Sequence, residues 1–165
     1  MKKRVFPHIP KSTKSLEIGD FWAIPLDGGE FACGRVIAFD NTTGKQSLRI
    51  FLAGLLDWIS DSPPTFGSIV GAQTVIQGGA HVRTIIATGG AILGNRSLEL
   101  DGISPALALC SACGPHCRVM RGFEVIRPAT KQDTESLPVL STFGFMVMRN
   151  YANSKLRRVA PEGAA

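Results

Sequence analysis

Glycine and proline punctuate this chain from end to end. Eighteen glycines and ten prolines are spread through 165 residues, which leaves little room for long helices. The fold must therefore be assembled from short elements joined by turns. The clearest periodicity in the sequence is that of strands. In residues 19–26, Asp20, Trp22, Ile24 and Leu26 alternate with Phe21, Ala23 and Pro25, the two-residue repeat of a pleated strand. Asp27-Gly28-Gly29 follows, and glycine tolerates the positive φ that a hairpin turn needs. In residues 30–39 one face carries Phe31, Cys33, Arg35, Ile37 and Phe39. The other carries Ala32, Gly34, Val36 and Ala38. Small residues on that face predict the close approach of another strand or a barrel bend. A second turn at residues 40–44 leads into residues 47–53, with Leu48, Ile50 and Leu52 on one face. Three sequential strands with short connections predict an antiparallel meander. The expected fold is mainly β: a small antiparallel curled sheet or SH3-like barrel with short helical additions. Ile24, Ile37 and Ile50 are expected to be buried in it.

Beyond residue 54 the pattern weakens. Residues 55–59 suit a helical turn or the start of a loop. Residues 73–76 and 82–88 suit short strands separated by Gly78-Gly79, and residues 98–101 another. Helix propensity favours a short helix over 105–113, where Ala106, Leu107, Ala108 and Leu109 precede Gly114-Pro115. Residues 118–127 suit a strand, 131–136 a polar connection, and 143–149 a last strand. The expected organisation is a basic lead-in over 1–18, one mainly-β domain over 19–154 and a basic tail over 155–165.

Charge follows the same division. The formal net charge is +5, but the body over 16–154 holds 10 basic and 12 acidic residues, so the excess resides in the two ends. A nucleic-acid-binding core is expected to cluster lysine and arginine within the fold. This placement leaves only a salt-sensitive contact of the ends to phosphate. Pro7, His8 and Pro10 interrupt any apolar run behind the basic start, so no secretion signal is read. The longest uncharged stretch, 62–82, is broken by Pro63, Pro64 and several glycines, which excludes a membrane helix there. Cytoplasmic placement is expected, with the four cysteines present as thiols or metal ligands.

The segment richest in chemistry is 110–117. Cys110 and Cys113 form a Cys-x-x-Cys pair whose thiolates can converge on Zn²⁺. Cys117 is a candidate third ligand, and His8, His81 or Cys33 a fourth. His116 is too close to Cys117 in the chain to share its ion easily. A thiol-bearing loop without metal fits the same spacing. A thioredoxin-like site needs the pair at a helix start, and here it follows the expected helix. Gly89 and Gly94 share the frame of a phosphate loop, but Asn95-Arg96-Ser97 stands where lysine is required. No hydrolase motif is present. Asp57 and Asp61 read as solvated loop acids. Trp22 and Trp58 suit either packing or an interface anchor.

Gly19-Asp20-Phe21-Trp22-Ala23-Ile24-Pro25-Leu26, followed by the Asp27-Gly28-Gly29 turn and Phe31-Ala32-Cys33-Gly34-Arg35-Val36-Ile37, resembles the opening of the Immunity protein 26 family of bacterial polymorphic-toxin systems. The resemblance is clear over residues 19–39. It implies a mostly-β, non-enzymatic immunity protein that neutralises a cognate toxin domain by direct binding. Asp20, Trp22 and Arg35 fall on the matching pattern and, with Trp58, are the candidate binding residues; no catalytic residue is implied. The cysteine cluster departs from the family pattern. It keeps open a metal-dependent or thiol enzyme centred on 110–117. An SH3-like nucleic-acid or ribonucleoprotein module using the basic ends is the other alternative.

Overall fold

The structure, a computed structural model, describes residues 3–111 and 114–157. Its centre is an open six-stranded sheet in the order β5-β1-β2-β3-β4-β9. The strands are β1 (Asp20–Pro25), β2 (Phe31–Phe39), β3 (Ile50–Ser60), β4 (Thr74–His81), β5 (Gly94–Asn95) and β9 (Thr142–Phe143). β1 to β3 form the expected antiparallel meander, β4 extends it by a further antiparallel strand, and β9 adds in parallel to β4. The sheet does not close into the SH3-like barrel that was one of the expected forms. A smaller antiparallel sheet contains β6 (Leu107–Leu109), β7 (Arg118–Arg121) and β8 (Glu124–Pro128). Among the described residues there are three short α-helices, α1 (Arg83–Thr88), α2 (Lys131–Ser136) and α3 (Val147–Tyr151), the last continuing into a π-helical turn. Among the described residues, no helix is long and apolar enough to cross a membrane.

The β1–β2 hairpin follows directly from its turn. Gly29 has φ 85°, and Leu26 N donates to Glu30 O at 2.8 Å. The small face of β2 has a specific cause. Trp22 lies opposite Gly34, and a Cβ at Gly34 would overlap the indole ring. The gap therefore holds a cross-strand indole, where a second strand or a barrel bend was expected.

Both faces of the main sheet are covered. One cluster contains Trp22, Ile24, Val36, Phe51, Leu55 and Ile85, with Met148 and Ala152 arriving from the C-terminal helix. The other contains Phe21, Cys33, Ile37, Leu52, Leu56 and Ile69. Double coverage explains why β3 runs on through 55–59, where a helical turn or loop was expected. Leu55 and Leu56 are both fully buried, in opposite clusters, as in a strand covered on both faces. Ile24 and Ile37 are buried as expected. Ile50 is only half-buried, because it lies at the end of the sheet opposite His81.

Several later expectations are corrected by tertiary packing. Residues 82–88 hold a helix, not a strand: the chain leaves β4 and must cross to β5 on the far edge, and α1 packs over β1 on the way. Gly78 and Gly79 lie inside β4, with the Phe143 ring filling the space where a Gly78 Cβ would stand. Residues 98–101 form a 3₁₀ turn that ends at Gly102, with φ 66°. In place of the helix expected over 105–113, β6 pairs with β7, and Leu109 N donates to Pro138 O at 2.8 Å. Sheet pairing and burial of Ala108 and Leu109 outweigh helix propensity, which is a weak preference. Residues 118–127 split into a hairpin at Gly122, with φ 60°. Lys131–Ser136 is a helix fixed by a Thr130–Asp133 capping box. The last expected strand is reduced to Thr142–Phe143 before α3 begins.

Candidate functional site

The three matching-pattern residues, Asp20, Trp22 and Arg35, are each fully buried. Each fastens a different segment to the sheet. Asp20 accepts hydrogen bonds from Arg4 Nη1 at 2.7 Å, Arg4 Nη2 at 2.8 Å and Asn95 Nδ2 at 2.9 Å. Its bond to Arg4 also raises the pKa of that guanidinium. Arg4 donates further to Ser15 O at 3.0 Å, so this one carboxylate pins the whole N-terminal segment. Trp22 Nε1 donates to Thr88 Oγ1 at 3.1 Å, and that hydroxyl donates to Thr84 O at 2.8 Å. The indole thereby seats α1.

Arg35 reaches across to Asp101, donating through Nη1 at 2.8 Å, and through Nη2 to the Arg96 carbonyl. Arg96 grips the same carboxylate with Nε at 2.8 Å and Nη2 at 2.9 Å, and Gly71 N adds a bond at 2.9 Å. The Arg96 bond above all, then the Gly71 amide and Arg35, hold the Asp101 carboxyl down at about 2 against the opposing effect of burial. Two guanidinium groups thus share one carboxylate beneath residues 65–73, and Arg35 Nε has no hydrogen-bond partner. The polar atoms of these family-pattern side chains are directed into the protein.

Trp58, the fourth candidate, is half-buried and donates from Nε1 to Ser68 O at 2.8 Å. It lines an acidic cleft of about 620 Å³ with Glu30, Asp57 and Asp61. Glu30 pairs with Arg157 at 3.0 Å, and Asp57 accepts from Gln73 N at 2.8 Å.

At the other end of β3 lies a cleft of opposite character. Its volume is about 510 Å³, and its lining includes Lys11, Arg49, Arg83, His81, Ile9, Leu48 and Ile86. Among the described residues, no carboxylate lines it. Burial first, then Arg83 and Arg49, lowers the His81 pKa. The site is not legible along the chain because its three cations come from the lead-in, the β2–β3 connection and α1. The basic lead-in was the only part of the signal visible along the chain.

The cysteines divide among separate environments. Cys33 is buried in the second cluster of the main sheet, and burial pushes its thiol well above the ordinary range. Cys110 and Cys117 pack with Leu109 and Val119 beside the small sheet. Cys113 lies outside the described residues. Among the described residues, no group of three histidine, cysteine, aspartate or glutamate side chains could hold a metal ion. The glycine frame at 89–94 closes onto β1: a Cβ on Gly89 would strike the Ala23 carbonyl, and Gly94 pairs with Phe21.

The described residues thus form an open, mainly-β sheet in which buried Asp20, Trp22 and Arg35 hold other segments in place. The family model of Immunity protein 26 matches residues 17–113, and the chain belongs to that family. Membership assigns an immunity function in general terms and implies a toxin as partner. No curated protein and no solved structure matches the chain.

Proposed function

We propose that this protein neutralises a cognate bacterial toxin domain in the cytoplasm by direct, non-catalytic binding, as a component of a polymorphic-toxin system. The match to Immunity protein 26 over residues 17–113 carries this reading. The architecture supports it. Asp20, Trp22 and Arg35 are committed to internal hydrogen bonds, so they serve as the scaffold of a binding surface and not as reacting groups. An inhibitor present at low concentration needs a desolvated contact patch and slow dissociation, and a rigid sheet that fixes its loops lowers the ordering cost of such a contact.

The test is co-expression with the toxin domain encoded in the neighbouring gene. Protection of the cells, together with co-purification of a stable complex, is the expected result. A protein that neither binds nor protects against that domain has a different function, and binding to duplex DNA or RNA becomes the next measurement.

A further inference from the structure

Building on the immunity reading, we propose that the basic cleft between the N-terminal segment, the start of β3 and α1 is the docking face for an acidic surface of the toxin partner. Lys11, Arg49 and Arg83 supply the charge, and Ile9, Leu48 and Ile86 supply the contact area.

The charge arrangement is the first argument. Arg4, Arg35, Arg96, Arg127, Arg149 and Arg157 each pair with a carboxylate of the chain. Among the described residues, Lys11, Arg49 and Arg83 make no such pair, although the fold gathers them around one cleft. Convergent like charge opposes folding by self-repulsion and creates a local field that an anionic surface relieves. Acidic residues of the partner complete the set.

The apolar lining decides between kinds of partner. Ile9 is 68% exposed, Leu48 50% and Ile86 46%. Aliphatic side chains between cations suit a protein interface, which has an apolar centre and a polar rim. A single-stranded nucleic-acid site is built instead on aromatic stacking surfaces; among the described residues no Phe, Tyr or Trp lines this cleft, and the neighbouring Phe145 ring is tilted against His81 with centroids 6.0 Å apart.

The cleft is also preorganised. His8 and Ile92 exchange backbone hydrogen bonds at 3.0 and 2.9 Å, Thr13 N donates to Leu48 O at 3.0 Å, and Val82 N donates to Arg49 O at 2.9 Å. Arg83 N donates to His81 Nδ1 at 3.0 Å. The family-pattern residues contribute directly to this arrangement. Asp20 pins the segment that carries Ile9 and Lys11, and Trp22 seats the helix that carries Arg83 and Ile86. The acidic cleft at Trp58 lies roughly 30 Å away along β3 and serves as an internal control.

The experiment measures binding of the neighbouring toxin domain to the full chain over a range of salt concentrations. The triple charge reversal Lys11→Glu, Arg49→Glu, Arg83→Glu is compared with the parent and with Asp57→Lys, Asp61→Lys. The reversal is expected to weaken binding by about 100-fold or more and to flatten its salt dependence. The acidic-end variant is expected to bind within about threefold of the parent. Should the reversal prevent folding, the corresponding triple alanine variant is used, with an expected loss of about tenfold. A parent that binds the toxin domain, with cleft variants that bind it equally well, overturns the docking face and leaves the immunity reading standing. Loss of toxin binding only in the acidic-end variant does the same. The docking face also fails if the triple reversal loses binding to duplex DNA or single-stranded RNA alone and keeps its grip on the toxin domain. A parent that binds no toxin domain defeats the immunity reading and this face together.

Discussion

Replacing Asp101 by asparagine tests how the loops are held over the second face of the sheet. The carboxylate accepts two bonds from Arg96 at 2.8 and 2.9 Å, one from Arg35 at 2.8 Å and one from the Gly71 amide at 2.9 Å. Its side chain is inaccessible to solvent, as is that of Arg35. Asparagine preserves the volume but leaves two buried guanidinium groups without a counter-charge, and its amide presents donors to donors. Breaking a buried pair in this way costs about 3–5 kcal/mol. Denaturant unfolding followed by tryptophan fluorescence measures the loss, with an unchanged m-value showing that only stability moved. The pH dependence gives a second readout. The folded pKa of Asp101, about 2, lies below its ordinary value of 3.8. The stabilisation from this group is therefore complete above about pH 4 and is lost as pH falls towards 2. In the asparagine variant that part of the acid limb flattens, while the contribution of Asp133, whose carboxyl is also depressed by Arg127, remains. A loss below about 1 kcal/mol, with an unaltered acid limb, would refute the assignment of Asp101 as the clamp.

Gly34→Ala forces a methyl group into the Trp22 indole and is expected to cost about 1–3 kcal/mol; an unfolding midpoint equal to the parent's contradicts the packing described. Ile24→Ala, at a fully buried position, is expected to cost about 2–5 kcal/mol, and Ile50→Ala, half-buried, distinctly less. Equal losses at the two positions argue against the placement of Ile50 at the sheet end. Cys33 is fully buried with its thiol pushed upward, so it resists alkylation in native protein at pH 8 and reacts on denaturation. Peptide mass spectrometry showing rapid native modification of Cys33 contradicts its burial.

Local sequence carried the first half of the main sheet and little of the second. Residues 19–39 declare a hairpin because a two-residue alternation flanks an Asp-Gly-Gly turn, and both signals act between near neighbours in the chain. Antiparallel pairing of β1 with β2 and β2 with β3 follows from them. The fate of 82–88 depended on where the chain had to go next. Thr84 and Ile85 form a helix because β4 and β5 occupy opposite sides of the sheet. The alanine–leucine run at 106–109 became a strand because Val119 and Arg121 offered a pairing edge. The roles of Asp20, Trp22 and Arg35 were equally invisible along the chain. Alternation marks a face, whereas their partners, Arg4, Thr88 and Asp101, lie up to 66 residues away. The basic cleft makes the point most sharply. A body with net negative charge contains a local concentration of positive charge because Arg49 and Arg83 are brought beside Lys11 of the N-terminal segment. Net charge is a sum over residues and is fixed by composition, but the electric field at a surface depends on distances, which only the tertiary fold supplies.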